Sequence, residues 1–342
     1  MHRIAASLFG ALTAGLLLPV TSATAGPSGS ARYDEIEVSF RNDGLKLAGS
    51  VLLPAGRGLP AAMMIQGSGA SDRGNQWARS IADALARCGV AVLIPDKRGS
   101  GQSQGDWQTA DFGDLAADAR AGWELLRQRP EIDPARVGYL GLSQGGHVAP
   151  LAAATSAGAA FAIDMAGSTR TMEEQLYDEL ESAYREHGLD QATIDWLQDF
   201  ARMSFDYIRT GNGFERYLAR HREISAGPLA RAAESWPTSP DDPYWRFWRG
   251  IHDFDPMPWW RRLVESRIPA LIVYGTDDRN VDVPAAVARI EERLPGGGVT
   301  LKVFPGIGHS LRDPATDQLM PGVVADTCGF IHAAMRKDSE KR

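Results

Sequence analysis

The run Gly141-Leu142-Ser143-Gln144-Gly145 places a serine between glycines at the spacing of a nucleophile elbow. It directly follows an apolar run at 137–140 and directly precedes a helical pattern, which predicts a strand, a sharp turn and a helix. In such a turn the glycines remove Cβ atoms that would clash, and the serine hydroxyl projects at the carboxyl end of its strand. We therefore predict that Ser143 is a nucleophile.

A serine hydroxyl attacks well only when a base takes its proton, and an acid must orient that base. Of the seven histidines, His309 alone lies in a loop after a late apolar run, at 299–304. His147 lies one turn into the helix after Ser143, where we expect it to pack. Three acids are candidates, two after the apolar run 270–274 and one at the end of the strand after the elbow helix: Asp277, Asp278 and Asp164. The order serine, acid, histidine is that of a Ser-His-Asp triad on an α/β sheet.

Two backbone N–H groups must also stabilise the negative oxygen of a tetrahedral intermediate. The residue after the nucleophile, Gln144, is expected to supply one of them. The loop after the apolar run 61–65 is expected to supply the other, because its small residues let the backbone approach a substrate. In that loop the sequence favours the N–H of Ser68, with Gly69 as the alternative.

The segments around these residues alternate between short apolar runs and helical patterns. A hairpin pattern at 36–53 comes first, and the later runs lie at 61–65, 90–94, 137–142, 160–165, 270–274 and 299–304. Helical patterns lie at 77–87, 112–127, 144–157, 283–294 and 317–335. Continuously apolar strands are typical of parallel sheets buried on both faces. The sequence therefore predicts an α/β protein with a doubly wound, mostly parallel sheet.

Residues 167–262 break this alternation. They contain 17 acidic residues, 12 arginines and six of the nine tryptophans. Helical patterns lie at 172–185, 193–208 and 214–224, and prolines are expected to break up the rest. We predict an inserted, mostly helical cap at 167–262, between core segments 26–166 and 263–342. Its aromatic residues either pack the cap onto the core or wall a substrate pocket.

The first 25 residues have the layout of a secretory signal peptide. A short basic start is followed by an apolar run at 4–18 and by Ala23-Thr24-Ala25, which favours cleavage before Gly26. Loss of Arg3 would change the net charge from −7 to −8. No other stretch is apolar enough to span a bilayer, so we expect an exported chain, periplasmic or secreted, without stable membrane insertion.

The overall composition excludes several classes of partner and cofactor. Hydrophobic residues make up 44% of the chain and its pI is near 5.6, so it has a core but no basic field for nucleic acid. Two cysteines and no tight His/Cys cluster disfavour a metal site. Gly99-Ser100-Gly101 follows an apolar run, but its third glycine comes late and the next helix is delayed, which disfavours dinucleotide binding.

Three motifs carry a family resemblance: Gly-Ser-Gly-Ala-Ser-Asp-Arg at 67–73, Asp-Lys-Arg-Gly-Ser-Gly-Gln-Ser at 96–103 and Gly-Leu-Ser-Gln-Gly-Gly at 141–146. With them the chain resembles the serine α/β-hydrolase superfamily, and within it bacterial carboxylesterases that carry GSGxxDR, DKRGxGxS and GxSxGG motifs. The resemblance implies the α/β-hydrolase fold and an enzyme without cofactor or metal. It places the acid three residues after Gly275, which favours Asp278.

The resemblance implies hydrolysis of a small-molecule carboxylic ester through an acyl-enzyme. A serine peptidase or amidase is the alternative enzyme, because GxSxGG also occurs in serine peptidases of this fold. A catalytically silent binding protein on the same scaffold is an alternative of another class. The sequence predicts neither the acyl chain length nor the oligomeric state.

Cys88 lies at the end of the first predicted helix of the core, 77–87, and Cys328 lies inside the last, 317–335. In the fold that the resemblance implies, these helices cover the same face of the sheet. Export would put the two sulfur atoms in an oxidising compartment, where a disulfide persists. A disulfide and two buried thiols are both compatible with the sequence.

Overall fold

A computed structural model describes residues 33–334 and is built around one eight-stranded sheet. The strands are β1 Tyr33–Asn42, β2 Leu45–Pro54, β3 Leu59–Ile65, β4 Ala91–Pro95, β5 Ile132–Leu142, β6 Ala162–Met165, β7 Ala270–Gly275 and β8 Val299–Phe304. Their order is β1-β2-β4-β3-β5-β6-β7-β8, and every pair from β4 to β8 is parallel. The predicted doubly wound, mostly parallel sheet is confirmed. The predicted signal segment lies outside the described residues.

Helices cover both faces of this sheet because its central strands are buried throughout. The core helices are α1 Gln76–Arg87, α2 Phe112–Arg127, α3 Gln144–Thr155, α9 Val283–Arg293 and α10 Pro321–Ala334. Apolar residues of α1 and α10 pack with one face of the strands, as Ile81 and Ile331 show. Residues of α2, α3 and α9 pack with the other face, with Trp123 of α2 buried there.

The first and last core helices lie side by side, as the fold implied. Cys88 caps the end of α1 and Cys328 lies in α10, and a disulfide joins them across 6.5 Å between their Cα atoms. The bond closes a sequence separation of 240 residues. The disulfide therefore links the core segment that precedes the cap to the core segment that follows it.

The cap between β6 and β7 is helical, as predicted, but it contains more helix than the sequence indicated. Its helices are α4 Met172–Glu186, α5 Gln191–Thr210, α6 Phe214–Ser225, α7 Pro243–Ile251 and α8 Met257–Glu265. The expectation that prolines break up the last part was wrong for α7 and α8. Pro243 and Pro258 lie in the first turn, where a missing N–H breaks no helical hydrogen bond.

Helix α8 contacts α3 and β7 of the core rather than the other cap helices alone. The predicted boundary at residue 262 falls inside this helix. Trp260 of α8 is fully buried. Over residues 33–334, no helix is long and apolar enough to cross a membrane.

Candidate active site

The turn between β5 and α3 holds Ser143 in a backbone conformation with φ 51° and ψ −119°. A side chain at Gly141 would place its Cβ 2.0 Å from the carbonyl oxygen of Gly145, and one at Gly145 would lie 2.2 Å from that of Ile65. Only glycine therefore allows these backbones to approach so closely. The turn presents Ser143 at the N-terminus of α3, where the helix dipole favours negative charge.

His309 reaches Ser143 from the loop after β8. Its Nε2 lies 2.9 Å from the Oγ of Ser143, which can donate its proton to that nitrogen. Gly275 makes this approach possible, because a Cβ there would lie 2.2 Å from the carbonyl oxygen of Ile307. The ring of Trp77 packs against the imidazole with 5.5 Å between ring centroids.

Asp278 holds the other nitrogen of the imidazole. Nδ1 of His309 lies 3.0 and 2.9 Å from the two carboxylate oxygens, and the Asp278 side chain is fully buried. The backbone N–H groups of Asn280 and Val281 donate to one of these oxygens at 2.8 and 3.0 Å. These contacts fix the carboxylate and leave the Nδ1–H of a neutral imidazole pointing at it.

The other two candidate acids do not contact His309 in this way. Asp277 is exposed and accepts a hydrogen bond from Thr276, so it orders its own loop. Asp164 is buried, and its Oδ1 accepts the backbone N–H of Gly167 at 2.7 Å. Burial raises the pKa of Asp164 to about 7. The structure thus brings Ser143 and His309 together with Asp278.

The acidic surroundings of His309 change its proton affinity. Burial by itself lowers the pKa of the imidazole, but the hydrogen bond and charge of Asp278 oppose this, aided by the charges of Glu179 and Asp164. The net result is a pKa above the ordinary value of 6.5. An imidazolium is therefore stabilised after the ring has accepted a proton.

His147, by contrast, packs inside the core. It is fully buried, its Nε2 lies 3.0 Å from the carbonyl oxygen of Arg170, and its ring contacts that of Phe112. Burial lowers its pKa to about 4. It is a neutral packing residue at pH 7.

The loop after β3 lies directly against the elbow. A Cβ on Gly67 would stand 3.6 Å from the Cβ of Ser143, and Ser68 and Gln144 both line the cavity in front of the hydroxyl. Gly69 also lines the cavity and has a positive φ of 71°. The two residues predicted to supply oxyanion N–H groups are thus neighbours of Ser143.

Two residues of the motifs that carry the resemblance hold this loop in place. Arg73 makes a two-pronged ion pair with Asp96, at 3.0 and 2.7 Å, and the Asp96 side chain is 2% exposed. The same carboxylate accepts the backbone N–H groups of Arg73 and Gln102. The loops after β3 and β4 are therefore tied to each other.

A cavity of about 270 Å³ lies between the carboxyl edge of the sheet and the cap. Cap helices α4 and α7 contribute Met172, Gln175, Leu176, Glu179, Phe247 and Trp248 to its wall. Trp248 is the one tryptophan of the cap among the lining residues, and the buried Trp236, Trp245 and Trp260 pack elsewhere. Trp236 and Trp245 pack on other aromatic rings of the cap, whereas Trp260 lies in α8, which contacts the core. Packing onto the core is therefore seen for Trp260, and the cavity wall contains Phe247 and Trp248.

Three residues at the site were not singled out from the sequence. Trp77 is at the start of α1 beside His309, Glu179 lies in the cavity wall, and Lys97 lies buried behind the elbow. The sequence signal for Lys97 is its place in the motif at 96–103, one of the three that carry the resemblance. Glu179 had none, because a glutamate in a helical pattern is typical of an exposed face.

Comparisons with known proteins agree with this architecture. An uncharacterised protein of Mycobacterium tuberculosis is 37% identical over 107 residues, 31% of this chain and 36% of that protein. The thiohydrolase aneE of Aspergillus aculeatus is 35% identical over 119 residues, 34% of this chain and 36% of that protein. The chain thus matches about a third of the length of each of these relatives.

Solved structures match over much more of the chain. The α/β hydrolase GrgF of a Penicillium species superimposes with a TM-score of 0.60 at 20% identity, covering 89% of this chain and 99% of its own. An esterase of Pyrococcus furiosus gives 0.56 at 16% identity, covering 88% and 91%. At these identities the likeness concerns the fold. A family model described as alpha/beta hydrolase fold matches residues 58–313, and the chain therefore belongs to the alpha/beta hydrolase family.

Proposed function

We propose that this hydrolase is an exported serine esterase that cleaves neutral carboxylic esters through Ser143, His309 and Asp278. The observation that carries the proposal is the continuous chain of contacts from the Ser143 hydroxyl through the imidazole to a buried carboxylate, each of about 2.9 Å. These are the distances at which a base takes a serine proton and an acid orients the base.

In the proposed reaction His309 takes the proton of Ser143 as Oγ attacks the ester carbonyl. The N–H groups of Ser68 and Gln144 stabilise the resulting oxyanion, and the dipole of α3 adds to that stabilisation. His309 then protonates the departing alcohol, leaving an ester between Ser143 and the acyl group. A water molecule, deprotonated by the same imidazole, releases the acid and restores the serine.

The charge of the cavity supports a neutral substrate. Glu179 and His309 are the ionisable side chains among the described residues that line it, and no lysine or arginine is there to bind a carboxylate or phosphate. Apolar side chains from the cap, such as those of Leu176 and Phe247, line the same cavity as Ser143. An uncharged acyl or alcohol group therefore suits this wall.

The proposal of export rests on residues 1–25 and is supported by the disulfide of Cys88 with Cys328. Disulfides persist in oxidising compartments and are rare in the cytosol. Fractionation of cells that express the full chain would test it. Recovery of the protein in the cytosol with residues 1–25 intact would contradict export.

A fluorophosphonate probe tests the serine mechanism, because it reacts only with an activated serine. We expect labelling of the wild type and none of Ser143→Ala, with circular dichroism showing that both are folded. The same pair is then assayed on p-nitrophenyl esters, a thioester and aminoacyl anilides. The thioester is included because one relative is named a thiohydrolase.

Each outcome separates the alternatives. Hydrolysis of esters without measurable hydrolysis of the anilides supports an esterase, and substantial hydrolysis of the anilides would make the protein an amidase or peptidase. A folded wild type that neither reacts with the probe nor hydrolyses any substrate would favour a silent binding protein.

A further inference from the structure

Lys97 lies behind the elbow, at the end of β4, with only 7% of its surface exposed. Its Nζ donates to two acceptors, the carbonyl oxygen of Gly67 and the side-chain Oε1 of Gln144, each at 2.9 Å. The proposed mechanism gives this buried ammonium group no role. Both partners nevertheless belong to the segments that are expected to supply the oxyanion N–H groups.

No opposite charge accompanies Lys97 in the described part of the chain. Burial is the cause acting on its pKa, which it lowers to about 7, and no carboxylate contributes. The ring of Trp107 has its centroid 5.9 Å from Nζ. Burying a cation without a counterion is costly, so stability alone does not explain a lysine here.

The carbonyl of Gly67 belongs to the same peptide group as the N–H of Ser68. That group is planar, so a hydrogen bond that holds its oxygen also sets the direction of its N–H on the opposite side. Polarising the carbonyl makes the same N–H a stronger donor. Lys97 acts in parallel on Gln144, whose side chain it anchors while the backbone N–H follows Ser143.

We propose that Lys97 is a positioning residue for ester hydrolysis, whose Nζ orients the Ser68 and Gln144 donors and, in its protonated form, adds positive potential at the oxyanion. This inference rests on the proposed serine mechanism. A positive charge in a region of low dielectric is worth more than one in water, because water does not screen it. Its benefit is largest when the substrate oxygen becomes negative, so it acts on kcat more than on KM.

The test compares Lys97→Met with Lys302→Met in the full chain. Methionine keeps the unbranched length of lysine and removes its charge. Lys302 is an exposed lysine on β8, paired with Asp326 at 3.1 Å, and serves as the matched control. Thermal unfolding of each variant and of the wild type is measured first, followed by kcat and KM on one p-nitrophenyl ester.

We expect Lys97→Met to lower kcat about 100-fold, the loss typical of one oxyanion donor, with KM within about 3-fold of the wild type. Inhibition by a boronic acid, which forms a tetrahedral adduct, should weaken by a similar factor. Lys302→Met should behave as the wild type. A folded Lys97→Met with unchanged kcat overturns the inference, and so does a loss confined to KM.

If Lys97→Met does not fold, a second variant tests the role of Lys97. Gln144→Met removes one acceptor of the ammonium group and keeps the backbone N–H, and we expect a severalfold loss of kcat with KM unchanged. An unaltered kcat in this variant overturns the inference. Because the wild type must react with the fluorophosphonate before these assays, failure of the serine mechanism is distinguished from failure of the role of Lys97.

Discussion

The elbow and the cap are packed in opposite ways. Around Ser143 backbone lies against backbone, and a Cβ on Gly141 or Gly145 would come within 2.0–2.2 Å of a backbone oxygen. In the cap side chain packs on side chain, as in the stacked rings of Phe200 and Tyr217 at 5.2 Å. An added Cβ meets backbone in the first region, whereas at Gly188, Gly211 and Gly213 of the cap it meets no atom within 4 Å. We therefore expect the elbow to tolerate less change than the cap.

Ion pairs show the same contrast. The Arg73 pair with Asp96 is largely buried and connects two loops of the site. Pairs on the cap surface, such as Arg185 with Glu181, are about half exposed. Exposed pairs of this kind contribute about 0–1 kcal/mol each. The Arg73 pair with Asp96 therefore contributes more to the geometry of the site than an exposed pair such as Arg185 with Glu181 contributes to the cap.

The largest effect is expected from the acid of the triad. Asp278→Asn should lower kcat about 10⁴-fold, because an amide stabilises the wrong tautomer of His309. Asp277→Asn and Asp164→Asn are the matched controls. We expect Asp277→Asn to retain nearly full activity, since Asp277 is exposed. Asp164→Asn should lose far less than Asp278→Asn, because an asparagine oxygen can still accept the Gly167 N–H.

Steady-state kinetics on one ester compare the three variants. Near-normal activity of Asp278→Asn, together with an inactive Asp164→Asn or Asp277→Asn, would show that the acid had been assigned to the wrong residue.

A pair of glycine variants tests the packing contrast itself. Gly145→Ala should destabilise the fold by roughly 3 kcal/mol or more and abolish activity, because its Cβ has no space beside Ile65. Gly188→Ala in the cap meets no atom within 4 Å and suffers only from its positive φ of 72°, which costs about 1 kcal/mol. Urea unfolding measures both values. Equal losses would remove the distinction between the two regions.

The contrast between the elbow and the cap also explains which features of the molecule could be predicted from the sequence. Apolar runs such as β7 and the glycines of the elbow are local signals, so the sheet, Ser143 and His309 could be placed without coordinates. Local signals left three acids open, and the family resemblance favoured Asp278 among them. The first-turn prolines of α7 and α8 were misread, because proline has the same local signal at the start of a helix as in a loop.

The burial of charged side chains was a second feature that could not be predicted from the sequence. Lysine and glutamate are usually solvated, and their burial depends on which loops and helices meet above them. The burial of Lys97 is created by the loop after β3 and by α3. The position of Glu179 in the cavity wall requires the cap to fold over the sheet. Such tertiary arrangements leave no local pattern.

A moderate effect on specificity is expected from the cap wall. Trp248→Phe should change the ratio of kcat/KM between a long and a short acyl ester by about 10-fold, the range for altered apolar contacts in a pocket. Trp245→Phe is the matched control, because Trp245 is buried among Tyr207, Tyr217 and Tyr244 away from the cavity. An unchanged acyl profile in Trp248→Phe would mean that the cap packs without selecting substrates.

The smallest effect is a shift in pH dependence that links the two regions. His309 acts as a base only when neutral, so activity should fall as the pH drops through its pKa, which lies above 6.5. Glu179 of the cap contributes to that elevation through its negative charge. Glu179→Gln should therefore lower the pKa of His309 and move the acidic limb of the kcat/KM profile to lower pH. Gln175→Glu at the neighbouring wall position should move it to higher pH, and a limb that stays in place in both variants would show that the cap has no electrostatic influence on the base.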